Sequence, residues 1–332
     1  MSSAHVRIVI VTPALAATNN GNWRTARRWQ EFLARDYSTR LVQTWPDREA
    51  SRDTVMIALH ARRSAPSIAA WRQARGSSSL AVVLTGTDLY RDIDGDSSAQ
   101  HSLAVAGALV TLQERGPDAV PERYRAKTRV IFQSASPRLT LPKTARHLRA
   151  VMVGHLREEK SPRTLYAAAR TISPREGILL DHIGGAMDKS LADAAQSTMD
   201  ALPHYRWLRD RPHEETRRRI QRAHLLIQCS QIEGGAHTII EAATSGTPVL
   251  ASRIDGNVGL LGLDYDGHFS WNDAGALVRL LRLCRAAQAQ PGGLLQQLTA
   301  QIEARSPLFS PRAEHAAVSH LVTDLLPPRV SP

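Results

Sequence analysis

The sequence predicts an α/β protein with two doubly wound domains in tandem, and three observations support this. The chain has 332 residues, too many for one ordinary α/β core and about the length of two. Short apolar runs alternate with helix-length segments, which is typical of parallel sheets covered on both faces. The alternation also begins twice, before and after a segment that breaks the rhythm with Ser-Pro and Leu-Pro.

The first series occupies the N-terminal part of the chain. A helix is predicted over Trp23–Ala34, where Trp23, Ala26 and Trp29 recur at close to helical spacing. The strands predicted from apolar runs are Val6–Val11, Val55–His60, Leu80–Thr85, Ala108–Leu112 and Val130–Gln133. The segment Ser134–Leu148 then reads as a linker.

The second series follows this linker and repeats the pattern. Its predicted strands are Val151–Gly154, Ile178–Ile183, Tyr205–Leu208, Leu225–Cys229 and Val249–Ser252. Its predicted helices are Pro162–Thr171, Leu191–Leu202, His213–Ala223, Ala236–Ser245, Ala274–Ala287, Gly293–Ala304 and Arg312–Leu325. We therefore predict a first domain over residues 1–143, a second over 149–310, and a terminal helix over 311–332 that crosses back to the first. Such a pair predicts a ligand cleft at the carboxyl ends of both sheets.

Composition limits the possible locations and partners. No apolar run approaches the ~18–20 residues of a transmembrane helix, and the first run leads directly into Thr12-Pro13, unlike a signal peptide. Cys229 and Cys284 are the only two cysteines, which fits a reducing compartment. We therefore expect a cytoplasmic protein without stable membrane association.

The net charge of +11 favours anionic partners, which include nucleic acid, acidic membranes and phosphorylated small molecules. Aromatic residues make up only 5% of the chain, so the sequence has no basic-aromatic surface on which bases would stack. A basic nucleic-acid-binding protein remains the non-enzymatic alternative. We predict small-molecule substrates and no nucleic acid.

The most specific local motif runs from Glu233 through Gly234-Gly235 to Glu241. It follows a predicted strand and opens a predicted helix that ends before Gly246 and Pro248, which are typical stop signals. The glycines let the backbone approach a ligand closely, and free N–H groups at a helix start attract anions. Glu241 is placed to accept hydrogen bonds from vicinal hydroxyls such as those of a ribose, and Glu233 from those of a second ring.

A second motif, Gly154–Pro162, follows the first strand of the second series. Glycine ends the strand, and Arg157 and Lys160 then project from a loop at the same edge of the sheet. Cations at this place would neutralise a diphosphate leaving group as its charge grows. An ordinary solvated loop, in which Glu158 and Glu159 pair with these cations, is the alternative.

The loop Asn19–Trp23 tolerates left-handed backbone and precedes a helix, so it suits a phosphate or an acceptor; a plain turn is the alternative. Two Asp-x-Asp sequences, within Asp92–Asp96 and Asp264–Asp266, lie in glycine-bearing loops and are better explained as turns. The histidines lack zinc-ligand spacing. We therefore predict no metal and no cofactor.

Together these residues resemble family 4 of the retaining glycosyltransferases, which have the GT-B architecture of two Rossmann-like domains facing a central cleft. The family's Glu-x7-Glu motif matches Glu233 and Glu241, and its Gly-Arg-Leu-x-x-x-Lys loop matches Gly154–Lys160, with His155 in place of the arginine. Leu59–Arg62 and Thr85–Leu89 resemble its two first-domain loops. The segments Thr85–Asp92, Gly154–Lys160 and Glu233–His237 further resemble the selenosugar synthases of selenoneine biosynthesis.

The resemblance implies transfer of a sugar, N-acetylglucosamine, from a UDP-sugar to selenophosphate, giving a 1-selenosugar. A conventional transferase acting on a hydroxyl of a metabolite or lipid is the alternative. The implied catalytic residues are Glu233, Lys160, Arg157 and His60. The implied donor-binding residues are Gly154, His155, Gly235, Ala236, His237, Thr238 and Glu241. The implied acceptor-binding residues are Gly21, Asn22, Arg62, Thr87 and Asp88.

Overall fold

A computed structural model describes residues 6–14 and 21–326 of the chain. It divides into two compact units, one formed by residues 1–133 with 311–332 and the other by residues 134–310. Each unit contains a six-stranded sheet in which every neighbouring pair of strands is parallel, with helices on its faces. The α/β prediction of two doubly wound sheets is confirmed.

The sheet of the first unit has the strand order β2-β1-β3-β4-β5-β6. Three of its central strands are buried along their whole length, which explains their continuous apolar sequences. The chain order reverses between β1 and β3, and loops at the carboxyl ends of such a pair commonly bind ligands. The strands are β1 Arg7–Val11, β2 Ser38–Val42, β3 Val55–Leu59, β4 Leu80–Leu84, β5 Ala108–Thr111 and β6 Thr128–Val130.

Helices of the first unit cover both faces of this sheet and form two apolar clusters with it. They are α1 Gly21–Leu33, α2 Ala65–Arg75, α3 Ile93–Gly95, α4 Ser97–Val105, α5 Gly116–Ala119 and α6 Glu122–Arg125, with a π-helical turn over Asp88–Asp92. The C-terminal helix α14, Pro311–Leu325, belongs to this unit. Its buried Glu314 accepts hydrogen bonds from Arg28 and Trp29 on α1.

The sheet of the second unit has the strand order β12-β11-β10-β7-β8-β9. The chain order reverses between β7 and β10, so the loops that follow these two strands emerge side by side at one edge. The strands are β7 Leu148–Val153, β8 Ile178–Ile183, β9 Tyr205–Trp207, β10 Leu225–Gln228, β11 Val249–Ser252 and β12 His268–Phe269.

The helices of the second unit are mostly amphipathic and bury one face against this sheet, as α7 does through Leu165 and Ala169. They are α7 Pro162–Thr171, α8 Lys189–Ala201, α9 His213–Arg222, α10 His237–Ala243, α11 Asp255–Leu261, α12 Ala274–Ala286 and α13 Leu294–Arg305. Helix α10 is shorter than the predicted Ala236–Ser245, because Thr244 and Ser245 form the turn after it.

One predicted strand is displaced along the chain, and two strands of the structure were not predicted. The predicted strand Val130–Gln133 is observed as Thr128–Val130. Strand β2 lacks an apolar signature because it is only half buried, and its Arg40 pairs with Asp47 and Asp53. Strand β12 has only two residues and is too short to produce a sequence pattern.

The segment predicted as a linker belongs to the second unit in the structure. Its backbone is tied to that unit at several places: the Arg138 N–H donates to the Thr244 carbonyl at 2.8 Å, and His224 Nε2 lies 2.9 Å from the Thr144 carbonyl. The first unit therefore ends at Gln133, ten residues before the predicted boundary at 143. No helix in the described ranges is both long and apolar enough to cross a membrane.

Candidate functional site

The loop after β7 brings Lys160 to the carboxyl edge of the second sheet. The Gly154 N–H donates to the Ile183 carbonyl and the Leu156 N–H to the Gly185 carbonyl, each at 2.9 Å, so the loop runs beside the end of β8. At Gly154 a Cβ would lie 3.4 Å from the Lys160 side chain. This is ordinary van der Waals distance, so Lys160 packs against the end of its own strand.

Lys160 forms an ion pair with Glu233, which lies in the loop after β10. The side chains are 17% and 10% exposed, so the pair is largely shielded from water. The same Glu233 oxygen accepts a hydrogen bond of 2.7 Å from Gln228 Nε2. Gln228 Oε1 in turn accepts one of 3.1 Å from the Thr238 hydroxyl. This chain of contacts fixes both ends of the glycine-rich loop.

The glycine-rich loop leads into α10. Gly235 is half-buried, Ala236 is buried, and His237 begins the helix. Within the described ranges, the N–H groups of residues 235–238 have no hydrogen-bond acceptor, as is usual at a helix start. Because α10 has only seven residues, its dipole contributes little here.

Glu241 lies in α10 and is buried against two histidines. His213 Nε2 lies 2.6 Å from Glu241 Oε1, and His237 Nδ1 lies 3.3 Å from the same oxygen. Burial raises the pKa of Glu241, but the hydrogen bonds from His213 and His237 outweigh it and hold the pKa well below its usual value. Glu241 is therefore a charged acceptor at neutral pH.

The remaining predicted residues of the second unit, His155 and Arg157, are exposed on the loop after β7. His155 Nδ1 accepts a hydrogen bond of 3.2 Å from the Gly185 N–H, which places its ring beside the end of β8. Arg157 forms no ion pair in the part of the chain that is described. Of the two predicted cations, the structure thus brings only Lys160 into contact with Glu233.

In the first unit, His60 lies at the carboxyl end of β3 with a left-handed backbone (φ 73°). Its Nε2 lies 3.2 Å from the Thr87 hydroxyl, and its Nδ1 lies 3.8 Å from Asp88. Burial lowers the pKa of His60, and the negative charge of Asp88 opposes this only in part. His60 is therefore neutral near pH 7.

Asp88 is fully buried, and its carboxylate accepts hydrogen bonds from backbone N–H groups. Its oxygens accept hydrogen bonds of 2.9 Å from the N–H groups of Ala61, Thr85 and Gly86. These contacts join the loops after β3 and β4, so the geometry gives Asp88 a positioning role beside His60. The exposed Arg62 directs its Nε to 3.3 Å from Asp92, a buried carboxylate.

Gly21 and Asn22 form the first residues of α1, where the Gly21 carbonyl accepts a hydrogen bond of 2.9 Å from Thr25. Asn19 and Asn20 lie outside the described residues. Among the residues that are described, no three His, Cys, Asp or Glu side chains are grouped as metal ligands.

Three residues of these clusters were missed by sequence reasoning: Gln228, His213 and Asp92. Gln228 ends a buried strand, and a polar residue at the end of a fully apolar parallel strand is a usable signal for a site. His213 follows a proline at a helix start and gives no such signal. Asp92 was interpreted as part of a turn, whereas it ends the π-helical turn and is buried next to His60, with 4.0 Å between Asp92 Oδ2 and His60 Nε2.

One comparison with known proteins concerns the second unit. Residues 141–284 match the family model described as "Glycosyl transferases group 1". The matched region lies wholly in the second unit and includes both motifs singled out above. A search of curated proteins gave no match.

Several solved structures share the fold at low sequence identity. Sucrose-phosphate synthase from Thermosynechococcus elongatus is 15% identical, with a TM-score of 0.73 over 96% of this chain and 99% of that one. Anabaena HepE in complex with UDP-glucose is 12% identical, with a TM-score of 0.73 over 96% and 100% of the two chains. A glycosyltransferase from Rickettsia africae is 12% identical, with a TM-score of 0.71 over 98% and 99%. At these sequence identities, the similarity shows only that the fold is shared.

Proposed function

We propose that the protein is a glycosyltransferase that moves N-acetylglucosamine from a UDP-sugar to selenophosphate. The main observation that supports a UDP-sugar donor is the shielded Lys160–Glu233 ion pair. It is formed by the two loops that emerge side by side from β7 and β10. The region that matches the glycosyl transferases group 1 model contains both loops. HepE, which shares the fold, was solved in complex with UDP-glucose.

The donor is held in this proposal by residues of different chemistry at one edge of the second sheet. Glu241 accepts the ribose hydroxyls because it is ionised and buried. Lys160 and the backbone N–H groups of residues 235–238 hold the diphosphate, with Gly154, His155 and Arg157 lining the adjacent loop. Glu233 orients the sugar ring, and its contacts with Lys160 and Gln228 fix its direction.

The chemical step consists of substitution at the anomeric carbon. Selenium of selenophosphate forms the C–Se bond, the C–O bond to the diphosphate breaks, and UDP leaves with the electron pair. Water then cleaves the P–Se bond and releases phosphate, which leaves a 1-selenosugar. A cation such as Lys160 gains most as the leaving group becomes charged, so it lowers the barrier more than it tightens binding.

The first unit supplies the acceptor-binding residues in this proposal. His60 and Thr87 present a neutral imidazole and a hydroxyl, Asp88 fixes their loops, and Arg62 adds a cation. Gly21 and Asn22 at the start of α1 are the further acceptor candidates. A selenophosphate needs cations more than it needs a general base, because selenium is a strong nucleophile. Support for selenium comes from the sequence resemblance at Thr85–Asp92, Gly154–Lys160 and Glu233–His237.

The experiment measures UDP release from UDP-N-acetylglucosamine by the purified protein, with and without selenophosphate, followed by mass spectrometry. UDP release that requires selenophosphate, together with a product carrying the selenium isotope pattern, is the expected result. UDP release with hydroxyl acceptors and none with selenophosphate would overturn the selenium assignment and leave a conventional glycosyltransferase. Failure to bind any UDP-sugar would overturn the donor assignment. Lys160→Met serves as the variant with impaired turnover.

A further inference from the structure

The carboxylate of Glu241 has two oxygens in unlike surroundings. Oε1 is contacted by both His213 and His237. Oε2 accepts no hydrogen bond from any described residue, although the Glu241 side chain is only 3% exposed. One oxygen is therefore occupied by protein, while the other has no protein partner among the described residues.

His213 differs from the other groups around Glu241 in its exposure. Its side chain is 50% exposed, whereas Arg217 nearby is buried and donates to the Ser136 carbonyl at 2.9 Å. Arg217 therefore contributes to packing, but half of the His213 ring does not. The 2.6 Å contact between His213 Nε2 and Glu241 Oε1 is shorter than an ordinary neutral N–H···O hydrogen bond, as a charged acceptor favours. Because the His213 side chain is half exposed, this contact adds little to the stability of the core. It mainly orients the Glu241 carboxylate.

We propose that His213 is a positioning residue for ribose recognition: by holding Oε1 of Glu241, it turns Oε2 toward the hydroxyls of the nucleotide. A carboxylate with one oxygen fixed has lost most of its rotational freedom before the ligand binds, so less entropy is lost on binding. His237 approaches the same oxygen, but its other nitrogen lies 3.1 Å from the Ser134 carbonyl, which fixes the ring separately. This inference rests on the proposed UDP-sugar function.

The test compares two nucleotides that differ only where His213 is expected to act. Isothermal titration measures the Kd of UDP and of 2′,3′-dideoxyuridine diphosphate, which lacks both ribose hydroxyls. The ratio of the two Kd values isolates hydroxyl recognition, because a general loss of structure weakens both ligands alike. The variants are His213→Phe, which cannot donate, and His213→Gln, whose amide can. His320→Phe, at an exposed histidine of α14, is the matched control.

For the wild type and for His320→Phe, UDP should bind about tenfold to a hundredfold more tightly than the dideoxy compound. In His213→Phe this ratio should fall to within about threefold of unity, with little change in the Kd of the dideoxy compound, and His213→Gln should restore part of it. An unchanged ratio in folded His213→Phe overturns the inference. A wild type that binds both nucleotides equally overturns it together with the ribose role of Glu241 but leaves a UDP-sugar as the donor, whereas a wild type that binds neither nucleotide overturns the donor proposal as well.

Discussion

Gln228 links Glu233 to Thr238, and its replacement by methionine tests whether this linkage holds the glycine-rich loop in its working geometry. Methionine has nearly the same shape and volume, so packing at the end of β10 is preserved. The change removes the 2.7 Å hydrogen bond to the Glu233 carboxylate and the 3.1 Å hydrogen bond from the Thr238 hydroxyl. It also removes a 3.0 Å contact with Ser230.

The size of the effect follows from the groups involved. A hydrogen bond to a charged group contributes about 1.5–3 kcal/mol, and a neutral one about 1 kcal/mol. Glu233 retains its ion pair with Lys160, and the half-buried Thr238 hydroxyl can bond to water. Neither group is therefore left without a hydrogen-bond partner. We expect the free energy of unfolding of the second unit to fall by about 3.5–5 kcal/mol, or roughly 7–20 °C in Tm. Because Glu233 would then be held by Lys160 alone, kcat/KM should fall about tenfold or more.

The assays are differential scanning calorimetry and UDP release from the UDP-sugar. Gln297→Met is the matched control, because Gln297 is exposed on α13 of the same unit and, among the described residues, its side chain donates only to the Gly292 carbonyl. Its unfolding free energy should change by less than about 0.5 kcal/mol. A Gln228→Met protein with unchanged Tm and with kcat/KM within twofold of the wild type would refute this reasoning.

Three further predictions concern other parts of the second unit. Lys160→Met should lower kcat about a hundredfold while the Kd of UDP, measured by titration, changes less than about tenfold; equal losses would indicate simple ground-state binding. Gly256→Ala should displace the Glu233 loop, because a Cβ there would lie 2.0 Å from the Glu233 carbonyl oxygen, and activity should be lost in a protein whose far-UV spectrum is unchanged. Burial lowers the pKa of His182 to about 4, so its neutral form stabilises the fold above the unfolded pKa of about 6.5, and this stability is lost as the pH falls toward 4. Urea unfolding should show about 2 kcal/mol less stability from this group at pH 5 than at pH 8, and His182→Leu should lack that component.

The sequence predicted the buried strands well, because parallel strands covered on both faces are continuously apolar. Ile178–Ile183 and Val249–Ser252 were predicted to the residue. Strand β2 was missed because it is half exposed and carries a paired arginine. Local patterns therefore identify strands by burial, and they fail where burial is partial.

The candidate site was predictable only where a motif is local. The motifs containing Lys160 and Glu233 were each visible, and the structure shows that these residues, 73 positions apart, form an ion pair. The contact between His213 and Glu241 joins α9 to α10 across 28 positions, and no spacing rule relates a residue at a helix start to one inside the next helix. Such contacts depend on how the helices pack, which local sequence does not specify.

We propose that Glu241 recognises the nucleotide of a UDP-sugar. Titration of UDP into the wild type and into Glu241→Gln tests this role directly. Glutamine preserves the shape of the buried side chain and removes its charge, so circular dichroism should show a folded variant. We expect the wild type to bind UDP and Glu241→Gln to bind it about tenfold more weakly or worse, since a charged acceptor is lost. Equal affinity of the two folded proteins for UDP, or no binding by the wild type, would contradict it.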